Sequence, residues 1–80
     1  MFNKDYDFRE LSGIITRVFG SQRGFARALG KSESYVSEVL RGNRILRATE
    51  IDKWASTLGV PETDIGRVFF THKVHETATI

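Results

Sequence analysis

The stretch Gln22–Leu40, QRGFARALGKSESYVSEVL, constrains the fold of this chain more than any other. Phe25 and Leu29 lie four apart and share one helical face, and Val36, Val39 and Leu40 form a matching face eleven residues on. Between them Gly30 takes a left-handed turn without steric cost, and Ser32 can cap a second helix through its hydroxyl. Ala26, four residues before Gly30, leaves room for two helices to approach closely. The pattern predicts a helix-turn-helix over residues 21–40, a unit that commonly reads DNA.

Eighty residues allow one domain with one small core. With no cysteine, disulfides and thiolate metal sites are excluded. The opening MFNKDYDF has early acids and no apolar core of a signal peptide, and no apolar run reaches the roughly 18 residues of a membrane span. A cytoplasmic protein without membrane association is expected. The formal charge of +2 is unevenly spread. Residues 20–47 hold six basic and two acidic side chains, and the rest of the chain holds six basic and eight acidic ones. Positive charge therefore concentrates on the helix-turn-helix and the loop after it, as a footprint for phosphate would.

In chain order, residues 1–6 read as a frayed arm. Asp7 and Glu10 have capping-box spacing ahead of a first helix from about Phe8 to Phe19, ended by Gly20. Gly13 inside it costs about 1 kcal/mol of helix propensity and is a candidate for close helix packing. Ser21 caps the second helix, where Gln22 and Arg23 sit in the first turn and suit a DNA phosphate. In the third helix Glu33, Ser34, Ser37 and Glu38 point away from the apolar face, as base-reading side chains do. Tyr35 either packs or donates to a phosphate. Glu33 complements the helix dipole, whereas Glu38 either reads a base or pairs with Arg41 or another nearby arginine.

Arg41, Asn43, Arg44 and Arg47 surround Gly42 in a loop placed to clamp a DNA backbone. Ile51, Trp54, Ala55 and Leu58 give a fourth helix from about Ala48 to Leu58, with Trp54 in the core. Pro61 suits the first position of a fifth, continued by Ile65, Val68 and Phe69. The domain is expected over residues 1–70, with 71–80 a tail that either adds a strand from Phe70 to Val74 or is disordered. Val68, Phe69, Phe70 and Val74 are the expected dimer surface. His72, His75 and Glu76 lack the spacing of a metal site. With no phosphate-cradling loop, nucleophile elbow or catalytic triad, neither an enzyme nor a cofactor is expected.

Gln22, Ala26, Leu29-Gly30, Ser32, Val36, Ser37 and Gly42, followed by WASTLGV at Trp54–Val60, resemble the small phage-type Cro and XRE-type helix-turn-helix regulators. The likeness spans roughly Leu11 to Phe70, and the ending Val68-Phe69-Phe70-Thr71 is similar to that of short phage repressor-like proteins. It implies an all-α, five-helix, lambda-repressor-like domain acting as a homodimer on a double-stranded operator. It further implies that Gln22 contacts phosphate, that Ser32, Glu33, Ser34 and Glu38 face bases, and that Asn43 and Arg44 hold the backbone. Two departures stand out. Lys31, at the turn, replaces a usual aliphatic residue and is counted with the phosphate contacts, while Glu33 and Glu38 stand where amides or basic residues are commoner.

Two functions follow from these features. The first is a sequence-specific repressor of Cro type. The alternative, motivated by the acidic pair on the reading helix, is a modulator or antirepressor that grips a partner repressor protein.

Overall fold

The computed structural model describes residues 6–71. Val74 of the expected dimer surface, His72, His75 and Glu76 of the tail, and residues 1–5 of the expected arm lie outside that range. Among the described residues the fold is all-α with five helices: α1 Arg9–Phe19, α2 Gln22–Leu29, α3 Glu33–Leu40, α4 Ala48–Leu58 and α5 Ile65–Phe70. A 3-10 turn over Glu62–Asp64 precedes α5.

The central helices begin and end where their caps dictate. Ser21 Oγ accepts the Gly24 N–H at 3.0 Å, and Ser32 Oγ accepts the Tyr35 N–H at 3.1 Å. Gly30, at φ 72°, turns the chain out of α2 so that the Lys31 N–H reaches the Ala26 carbonyl at 2.9 Å. The turn is therefore pinned on the α2 side by a backbone bond and on the α3 side by the Ser32 hydroxyl. Gly24 is required for a different reason. A Cβ there would lie 2.8 Å from the Phe19 carbonyl oxygen, so the end of α1 can approach α2 only where no side chain intervenes.

α2 packs against α1, α3 and α4, and α1 also touches α4 and α5. The core they enclose centres on Trp54, 1% exposed, which makes edge-on contacts with Phe25 at 4.8 Å, Tyr35 at 6.0 Å and Phe69 at 6.4 Å between ring centroids. Leu11, Ile15, Val36 and Val39 complete it, each fully buried.

Four expectations are corrected. Asp7 and Glu10 form no capping box: Asp7 accepts the Arg9 backbone N–H and its guanidinium, while Glu10 bonds Arg67 of α5. Gly13 is not a packing notch, because a Cβ there would meet nothing within 4 Å. Pro61 does not open the fifth helix; its extended ψ of 154° places it ahead of the 3-10 turn. Tyr6 is not frayed, since its ring packs on Phe8 and Phe70 and the neighbouring Asp7 N–H donates to the Thr71 carbonyl at 2.7 Å.

Candidate partner-binding face

The outward side of α3 begins at its N-cap. Ser32, Glu33 and Ser34 are exposed, and Ser37 and Glu38 are half-buried. The helix contains two acids and no base. Glu33 Oε1 lies 3.5 Å from Arg23 Nε, which joins the first turn of α2 to that of α3. Both side chains are more than half exposed, so the pair contributes little stability, but it gives Arg23 a protein partner. Gln22, in the same turn, is half-buried.

Glu38 is engaged inside the chain as well, though not with an arginine. Its Oε2 accepts the Asn43 side-chain amide at 3.0 Å, and its carbonyl accepts the Asn43 backbone N–H at 2.9 Å. Asn43 thus ties the loop after α3 back onto the helix. Arg41 and Arg47 remain exposed on that loop.

A second polar node sits under the loop. Tyr35 donates its hydroxyl to Glu50 Oε2 at 2.8 Å and accepts the Trp54 indole N–H at 3.2 Å. Glu50 Oε1 accepts the Arg47 backbone N–H at 2.9 Å, which satisfies the free start of α4. The Arg44 guanidinium lies 4.8 Å from the centre of the Tyr35 ring and 3.9 Å from Glu50, and Lys31 Nζ lies 5.5 Å from the same ring. The Arg47 N–H holds the Glu50 carboxyl below its ordinary range, partly opposed by burial and reinforced by Tyr35 and Arg44. Burial pushes the Tyr35 hydroxyl up, with the Trp54 bond acting the other way. Of the two roles open to Tyr35, packing is the one its bonds fill.

The expected dimer surface divides. Val68 and Phe69 are 1% and 3% exposed and belong to the chain's own core, whereas Phe70 is 42% exposed. Phe70 instead forms one rim of an apolar groove of about 250 Å³, lined by Tyr6, Phe8, Val39, Leu46, Ile51 and Phe69. Ile45, 43% exposed and on the same loop as Arg44 and Arg47, lines it as well. Ile45 and Glu50 are the two site residues the sequence reading missed. Ile45 carried a signal as an apolar residue outside every helical stripe, and Glu50 as an acid at the third position of α4.

Residues 4–72 match the family described as protein of unknown function DUF739. The chain belongs to the DUF739 family. A solved structure similar to this DUF739 chain is the solution structure of the modulator of repression (MOR) of the temperate bacteriophage TP901-1 from Lactococcus lactis. It is 39% identical, with a TM-score of 0.75, over 89% of this chain and 96% of that one. No curated protein matches the DUF739 chain. No helix of the described residues is long and apolar enough to cross a membrane.

Proposed function

We propose that this chain is a phage-type regulator that modulates repression by binding a partner repressor protein, rather than by occupying an operator itself. The observation that carries the reading is the charge of α3. The helix that would enter a major groove has two carboxylates and no cation, and both carboxylates are already held by Arg23 and Asn43. Phosphates on either side of a groove repel such a surface, whereas a basic DNA-reading face of a second protein attracts it. The exposed residues Ile45 and Phe70 add apolar area beside the loop, of the kind protein interfaces use and phosphate contacts do not. The likeness to a phage modulator of repression points the same way.

The role is stoichiometric and non-enzymatic, with no cofactor, and belongs to the cytoplasm where operator and repressor meet. The Cro and XRE resemblance is kept as a relationship of helical architecture. Direct operator binding as a homodimer is the second reading; Lys31, Arg41 and Arg47, exposed beside α3, favour it.

The two readings separate on one double variant. Glu33→Gln with Glu38→Gln removes both charges but keeps an acceptor for Asn43. It is expected to weaken binding to the repressor from the same genome by about tenfold or more and to raise non-specific DNA binding. Unchanged repressor binding with altered operator preference would overturn the proposal in favour of base reading.

A further inference from the structure

A groove of about 280 Å³ lies between the α2–α3 turn and α4. Leu29, Tyr35 and Trp54 line it on the apolar side, and Lys31 and Lys53 stand beside them. Its volume is close to the lower bound of the roughly 300–1,000 Å³ of small-molecule pockets, a space that one protruding side chain can fill.

The groove carries two cations, Lys31 and Lys53, against one carboxylate, Glu50. Glu50 spends one oxygen on the Arg47 N–H and the other on the Tyr35 hydroxyl. Lys31 and Lys53 are both exposed, and neither forms an ion pair among the described residues. Lys31 is also oddly chosen by local rules. It follows Gly30 in a turn whose 2.9 Å backbone bond to Ala26 fixes its position, and that place in the turn favours an apolar residue packing back on the helix. Here it is a cation whose ammonium lies over the Tyr35 ring.

We propose that this groove receives a carboxylate-bearing side chain of the protein partner. The acid end lies between Lys31 and Lys53, and its stem lies on Leu29 and Tyr35. This rests on the partner-binding reading and extends it. The acids of α3 and the lysines beside them present opposite signs side by side, and a partner must match both, which fixes its register.

The test uses the full chain and the purified repressor from the same genome, with binding measured by calorimetry as salt is raised. Lys31→Glu with Lys53→Glu is expected to weaken binding by about thirtyfold or more, and Lys31→Gln with Lys53→Gln by about tenfold with a shallower salt dependence. The melting temperature should hold in both variants, because the lysines are exposed. The indole N–H of Trp54, the sole tryptophan, should shift in a labelled parent chain on adding repressor. A parent that binds while the Glu variant binds within twofold of it overturns the groove and leaves the partner reading standing. A parent that does not bind the repressor overturns both. A parent that binds DNA instead, and loses it on charge reversal, assigns the groove to phosphate and also overturns the proposal.

Discussion

Replacing Glu50 by alanine should destabilise the chain far more than its place on a helix surface suggests. The carboxylate accepts two hydrogen bonds, from the Arg47 N–H at 2.9 Å and the Tyr35 hydroxyl at 2.8 Å. Bonds to a charged group contribute about 1.5–3 kcal/mol each when buried. The Glu50 side chain is 23% exposed, so water replaces part of each, and the low end applies. The ion pair with Arg44, at 3.9 Å and with the arginine half exposed, adds at most about 0.5 kcal/mol. At that low end the two bonds and the ion pair together lose about 3 kcal/mol. For a domain of this size that lowers Tm by roughly 12–24 °C. Glu50→Gln keeps hydrogen-bonding groups but no charge and should lose about half as much. Tyr35→Phe removes the hydroxyl that Glu50 and Trp54 share, so the double variant Tyr35→Phe/Glu50→Ala should cost less than the sum of the two. Thermal melts by circular dichroism, with urea titrations at one temperature, measure all of these. If Glu50→Ala melts within about 2 °C of the parent, the node does not hold α4 against α3, and its role in fixing the Arg44–Arg47 loop is wrong.

Two glycines should respond to alanine with opposite signs. Gly13→Ala meets nothing within 4 Å and should stabilise by about 0.5–1 kcal/mol, whereas Gly24→Ala drives a Cβ to 2.8 Å from the Phe19 carbonyl and should cost about 1–3 kcal/mol; urea midpoints measure both. Acid should act through Glu50. Its folded carboxyl lies below the ordinary value of 4.5, so its contribution is complete above that pH and is lost as pH falls through the folded value. The stability of Glu50→Gln should accordingly fall less than that of the parent on acidification below pH 4.5, read from melts across that range.

The fold was legible where local chemistry decides it. Ser21, Gly30, Ser32 and Gly59 mark helix ends through bonds to their own neighbours, and the α2, α3 and α4 boundaries follow from them. Legibility failed where another side chain, near or distant in sequence, competed for the same group. Asp7 and Glu10 have capping-box spacing, yet Arg9 and Arg67 take their carboxylates. Val68 and Phe69 looked like free surface because a six-residue helix shows too little periodicity to reveal which side faces Trp54. At the site, the types of the outward residues were readable, but their partners were not. That Arg23 meets Glu33, Asn43 meets Glu38 and Tyr35 meets Glu50 depends on how α2, α3 and α4 come together. Those pairings tie the two acids of α3 into the chain's own bonding network.

Whether this chain acts on a repressor or on the operator is decided by a competition gel shift. DNA flanking the chain's own gene is incubated with the repressor from the same genome, and the chain is then titrated in. The chain alone should give no retardation beyond what a non-specific competitor removes. The repressor's shifted band should disappear as the chain approaches equimolar amounts. A specific shift by the chain alone, with the repressor's band undiminished, would contradict action on the repressor.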